Sequence, residues 1–167
     1  MVKKIIKNQK GQLMVECLVA LSILTVGFLA MVTLLTHSLA SNYDVLNRLI
    51  AANLAEEGIE VVKNIIDTNV AARATDPTIT WNAGITNGTS SVVYDSNSLG
   101  SDDNSYLKLD TNGFYNYSSG NNTIFKRKIE IFNLNINEVK VKSTVTWTAK
   151  NRSNSISVED HFFNWRN

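Results

Sequence analysis

One cysteine, one proline and two histidines are all that 167 residues hold of three residue types on which many small exported or catalytic domains depend. A lone Cys17 rules out an intramolecular disulfide and any cysteine cluster for zinc. It opens an apolar run and is expected to be a small buried apolar residue. With Pro77 the only proline, residues 1–76 contain no proline to break a helix. His37 and His161 have no nucleophile or metal set beside them, so both are read as structural and the chain as no enzyme, with no cofactor. A formal net charge of +1 argues against the basic face of a nucleic-acid binder, and no nucleic-acid partner is expected. Charge is scarcest between Glu16 and Asp44, where there is none.

What fills that gap is LVALSILTVGFLAMVTLL, residues 18–35. As a helix it spans about 27 Å, close to a hydrocarbon core of about 30 Å. Ser22, Thr25 and Thr33 can satisfy their hydroxyls on the helix's own carbonyls, so the segment reads as membrane-inserting. Lys3, Lys4, Lys7 and Lys10 precede it and favour a cytoplasmic N-terminus; without them 12 basic side chains face 15 acidic ones. A small-x-small site at Ser38-Leu39-Ala40 keeps an ordinary cleaved signal peptide as a competing reading, although the apolar stretch is long for one. The helical pattern continues past it. Val45, Leu46, Leu49, Ile50, Leu54, Ile59, Val62, Ile65 and Ile66 form a stripe, and Asp44, Arg48, Glu56, Glu57, Glu60 and Lys63 occupy most of the other face. One helix from about Leu13 to Asn69 follows, apolar all round in its first half (12–40) and amphipathic in its second (41–70). Gly27 and Gly58 are its weak points, each costing up to about 1 kcal/mol relative to Ala.

Beyond Pro77 short β-prone runs alternate with turn signals, giving a β-rich extracytoplasmic domain over residues 71–167. Strands are expected at 78–81, 91–95, 106–110, 125–134, 138–150 and 155–165. Val139, Val141, Ser143, Val145 and Trp147 share one face. The last two runs form a hairpin across NRSN, so 125–165 is read as an antiparallel meander with one face on the helix. Residues 82–122 read as a long surface loop with one or two short strands. Trp81, Trp147 and Trp165 are expected in the core or against the helix.

The combination K-x-x-K-G-Q-L-M-V-E before the apolar run resembles the class III signal of type IV prepilins and pseudopilins. The segment AANLAEEGIEVVKNIID and the ending VKVKSTVTWTAK…SISVEDHFFNW extend the likeness to minor pilins of the PilV type. The resemblance implies an α+β pilin fold, a long N-terminal helix packed on an antiparallel β-sheet. It implies that residues 1–11 are a leader, that prepilin peptidase cuts between Gly11 and Gln12, and that Gln12 is then N-methylated. Most members carry Phe, Met or Leu at that position, so Gln12 departs from the pattern. It also implies that Glu16 pairs with the N-terminus of a neighbouring subunit and sets axial register. A carboxylate entering a bilayer costs up to roughly 2.5–3.5 kcal/mol on insertion scales, which selects for such a partner. The function implied is that of a structural subunit, held in the cytoplasmic membrane and its lipid before assembly and at the cell surface in a pilus afterwards. Its partners would be other pilin subunits, prepilin peptidase, and the platform protein and ATPase of pilus assembly. Two alternatives remain: a pseudopilin of a secretion or competence system, and a signal-anchored surface protein that binds a ligand and never polymerises.

Other motifs are weaker. Ser101-Asp102-Asp103-Asn104 and Asp110-Thr111-Asn112-Gly113 resemble a fragment of a calcium loop, but the spacing fits no full EF-hand, and turn chemistry is the simpler account. Asn87, Asn116, Asn121 and Asn151 fit N-x-Ser/Thr as an Asn-rich chain does by chance. The N-terminal reading has a direct check. The intact mass of the membrane-extracted protein is expected to lack residues 1–11. A full-length chain, or one cut after Ala40, would overturn it.

Overall fold

The computed structural model describes residues 10–165, with nothing of the Lys10 side chain; the leader lysines Lys3, Lys4 and Lys7 lie outside the described residues. One helix, α1, runs from Lys10 to Ala72. The chain divides into two compact units, one up to Val45 and one from Leu46 onward. In the first, every side chain from Gly11 to Leu39 is exposed. Hydroxyls that would otherwise be unsatisfied in an apolar medium turn back on the helix. Ser22 donates to Leu18 O at 2.7 Å, Thr25 to Ser22 O at 2.9 Å and Thr33 to Ala30 O at 2.8 Å, as their spacing suggests.

The second unit is α+β: residues 46–72 of α1 pack on an antiparallel sheet. Five short strands precede three long ones: β1 (Gly88–Ser91), β2 (Gly100–Ser101), β3 (Lys108–Leu109), β4 (Tyr115–Asn116) and β5 (Asn121–Asn122), then β6 (Phe125–Asn135), β7 (Glu138–Ala149) and β8 (Arg152–Phe163). The main sheet has the order β2-β1-β6-β7-β8, and β4-β3-β5 form a second, smaller one. β6, β7 and β8 are the meander read from 125–165, and Val139, Val141, Ser143, Val145 and Trp147 are all buried on its inner face. Ala51, Leu54 and Ala55 of α1 join a cluster with Phe125, Val145 and Trp147; Ile59, Val62, Ile65 and Ile66 join another with Ile131, Val139 and Val141. The exposed Leu46 and Leu49 lie before the covered part of the stripe.

Several expectations need correction. The run 78–81 is not a strand. Asp76 Oδ1 accepts from the Thr78 amide and hydroxyl, turning the chain so that Trp81 and Ile85 enter the core. The segment is tied back by Asn69, whose amide donates to Ala83 O at 2.8 Å. The strand placed at 91–95 lies at 88–91, and the one at 106–110 shrinks to two residues. Residues 82–122 are not a loop with one or two strands but hold all five short ones, and β1 belongs to the main sheet, pairing Gly88–Ser90 with Ile129–Ile131. The last hairpin turns at Lys150-Asn151, one residue before the NRSN reading, with φ of 49° and 60°; two positive φ values make the two-residue turn that suits strand twist. Trp165 is 77% exposed rather than part of the core, and Cys17, expected buried, is exposed.

Gly58 has the opposite meaning to a weak point. A Cβ built there would lie 2.6 Å from Ser143 Oγ, 2.7 Å from Ile129 Cδ1 and 3.3 Å from Arg127 Cδ. Helix and sheet approach too closely for any side chain. Gly58→Ala gains about 1 kcal/mol of helix propensity. Overpacking costs about 1–3 kcal/mol and is expected to outweigh that gain, lowering the melting temperature. Combining it with Ser143→Ala, which removes the nearest atom, is expected to recover part of the loss in thermal unfolding.

Candidate functional site

Gly11, Gln12 and Glu16 all lie on α1, and all three are exposed. Gln12 and Glu16 are four residues apart, so they stand one above the other about one turn apart on the same face. Around and after them Leu13, Met14, Val15, Leu18, Val19 and further apolar side chains up to Leu39 are exposed as well. An exposed apolar surface of this extent marks a membrane or protein contact. This stretch is long and apolar enough to cross a membrane, and Glu16 is the single charged side chain between Gly11 and Tyr43. Among the described residues it takes part in no ion pair. Gly27 has no atom within 4 Å that an added Cβ would meet.

The sheet unit carries a polar site that periodicity did not reveal. Arg127, on the inner face of β6, is 2% exposed. One guanidinium nitrogen donates to Leu54 O at 3.0 Å and to Glu57 Oε1 at 2.8 Å, and the other donates to Val92 O. The guanidinium therefore ties helix, sheet and the segment after β1 together. Its sequence signal is a basic residue in phase with Phe125, Ile129 and Ile131, which reads as an alternation defect unless a partner is known. Tyr117 Oη donates to Arg127 O at 3.2 Å, and burial, opposed by the nearby guanidinium, pushes its phenol above the ordinary value.

The remaining candidates fall into structural roles. Asp102 and Asp103 accept from the amides of Asn104 and Ser105, and Asp110 accepts from those of Asn112 and Phe114. Hydrogen bonding by Ser105 holds the Asp103 carboxyl below the usual carboxylate range. These are turn geometries, and among the described residues no three His, Cys, Asp or Glu side chains are placed to hold a metal ion. His37 is exposed on α1. On the outer face of the sheet His161 Nδ1 lies 2.8 Å from Glu138 Oε1, and Lys140 Nζ lies 2.9 Å from Glu159 Oε2. The hydrogen bond from Lys140 keeps the Glu159 carboxyl below its ordinary value. Where β8 ends, a cavity of about 380 Å³ opens between it and the end of α1.

No family profile, curated protein or solved structure matches the chain, so its function is read from its own residues and geometry. The architecture, one long and partly apolar N-terminal helix with an antiparallel sheet packed on its later part, is pilin-like in general form. It is compatible with a single membrane-spanning segment followed by a β-sheet domain.

The buried guanidinium generates a stability prediction. Arg127→Met keeps the stem's packing but leaves Val92 O without its guanidinium donor and Leu54 O with only its helical one. Glu57 is part exposed and can return to water, so the loss falls below that of a fully buried pair. A destabilisation of about 2–3 kcal/mol is expected by chemical unfolding.

Proposed function

We propose that this chain is a structural subunit, a minor pilin of PilV type, of a type IV pilus. It is made as a membrane-inserted precursor, cut between Gly11 and Gln12 by prepilin peptidase, N-methylated at Gln12 and drawn into a filament by the assembly ATPase and platform protein. It performs no catalysis itself. The observation that carries this reading is the exposed apolar helix surface on which Glu16 is the only charged side chain between Gly11 and Tyr43. A permanent anchor gains nothing from a carboxylate at the entrance to the bilayer, and bears its desolvation cost. A helix that must find a neighbour gains a great deal. Removing Gly11 creates an α-amino cation on Gln12, one turn from Glu16, and the same cation on every other subunit. Pairing Glu16 with the amine of an adjacent copy sets how far one subunit is displaced along the next.

Transfer from lipid to filament follows from the same surface. Lipid tails and packed apolar helices are similarly hydrophobic, so the transfer itself is nearly neutral. Packing and the carboxylate–amine pair then tip the balance. The sheet domain, stabilised independently by its own core, remains outside the membrane and forms the filament's surface.

Glu16→Ala separates insertion from assembly. The variant is expected to be processed and to remain in the membrane fraction, yet to be absent from sheared filaments. Glu16→Asp is expected to restore part of the incorporation. Normal incorporation of Glu16→Ala would overturn the pairing role.

A further inference from the structure

The main sheet has two unlike edges. One is β2, 2 residues long, which offers a neighbour almost nothing to pair with. The other is β8, 12 residues without proline, and its pairing with β7 runs from Arg152 to Phe163 without a bulge. Short length, proline and bulges are the usual devices that keep an edge from templating another strand, and β8 has none of them. The turn fixes which of its main-chain groups are open. Ala149 and Arg152 close a two-residue hairpin and exchange both bonds, so even-numbered residues of β8 bond to β7 and odd-numbered ones turn their N–H and C=O outward. The His161 amide agrees with this: it donates to Asp160 Oδ1 at 2.8 Å instead of to a strand. Phe163 O accepts from the Trp165 amide. From Ser153 to Glu159, by contrast, the outward groups have no main-chain partner among the described residues.

The side chains along that segment determine what can pair with it. Arg152 and Asp160, both exposed, flank it on the face that carries the half-buried Ile156 and Val158. With a second β8 laid antiparallel and Ile156 facing Ile156, Arg152 stands opposite Asp160 of the other copy at both ends. Asn154 then faces Val158, Ser155 faces Ser157 and Ser153 faces Glu159. No like charges stand opposite each other, and Ile156 and Val158, already packed against the core, lose further contact with water. Glu159 keeps its own Lys140, 2.9 Å away on the outer face. Other registers are worse. A slip of two residues sets Arg152 against Val158 or Phe162, and larger slips toward the C-terminus set Glu159 against Glu159 or Asp160 against Asp160. We propose that β8 pairs with β8 of a second copy across a two-fold axis at Ile156, joining two sheets edge to edge. Such an axis reverses one copy relative to the other, whereas subunits along one polar filament share a direction. The contact therefore joins copies from separate filaments or separate membranes, and it requires neither cleavage at Gly11 nor polymerisation.

The test uses the full chain in dodecyl maltoside with Cys17→Ala, which removes the one thiol. Analytical ultracentrifugation at about 100 μM protein is expected to find a dimer. Even-numbered residues facing each other across the contact form non-hydrogen-bonded pairs, with Cα atoms about 4.5 Å apart and within reach of a disulfide. Ile156→Cys is therefore expected to give a covalent dimer on oxidation, and Asn154→Cys and Val158→Cys to do so only when mixed. Arg152→Asp and Asp160→Arg, each alone, set like charges opposite each other twice and are expected to weaken self-association about tenfold. Mixing these two variants recreates both ion pairs and is expected to restore the dimer. Thermal melts are recorded to establish that each variant is folded. Four results would overturn the proposal: a monomer at about 100 μM, self-association indifferent to Arg152→Asp, cross-linking of Asn154→Cys alone as readily as of Ile156→Cys, or a mixture of the charge variants that associates no better than either alone.

Discussion

Everything in the sheet unit depends on how closely α1 approaches β6 and β7 at Gly58. With no side chain there, the helix backbone comes near enough for the Arg127 guanidinium to reach the Leu54 carbonyl and the Glu57 carboxylate at once. The same group extends to Val92 O and fixes the segment after β1, the strand that widens the sheet beyond the meander. A buried charge is expensive unless its hydrogen bonds are met. Here both terminal nitrogens donate while Nε has no partner among the described residues, and the three bonds together specify one placement of helix on sheet where apolar packing alone would permit several. Ser143 Oγ and Ile129 Cδ1 would lie 2.6 and 2.7 Å from a Cβ at Gly58, so that placement admits no side chain there.

The unit up to Val45 obeys a different solvent. Its side chains follow the rules for lipid or for a bundle of like helices, and its hydroxyls are closed on its own carbonyls. Two environments along one helix explain why its residues show a continuous apolar surface in one part and a stripe in the next. Between Gly11 and Tyr43 Glu16 is the one charged side chain, and this makes it the informative position of that segment.

Much of this architecture is legible in the sequence because apolar periodicity is dictated by burial. Leu54, Ile59, Val62, Ile65 and Ile66 repeat as a covered helix face must, and Val139 to Trp147 alternate as a strand with one buried face must. Of the short strands, β2, β4 and β5 are not legible because two-residue strands such as Gly100–Ser101 or Asn121–Asn122 cannot alternate; their pairing is carried by backbone groups, which every residue has. Trp165 is expected in the core or against the helix, whereas the strand ends at Phe163 and leaves it largely exposed beyond the sheet. Arg127 was hidden for a related reason: a charge in a buried phase is meaningful only once Glu57, 70 residues earlier, is known to lie opposite. As for the candidate site, Gly11, Gln12 and Glu16 are legible as a motif, but the roles proposed for them lie between molecules, where a single chain holds no geometry.

The order of elements along the chain has a consequence during biosynthesis. Residues 51–66 of α1 bury their apolar face against β6 and β7, which begin only at Phe125. At about 5–20 residues per second, that face leaves the ribosome seconds before its cover exists. The meander itself is built from consecutive hairpins and can close rapidly once made. The vulnerable interval is therefore the wait for the last third of the chain, not the folding of it. A nascent chain that stalled before Phe125 would present a greasy helix with nothing to shield it, a natural substrate for holdase chaperones and quality-control proteases.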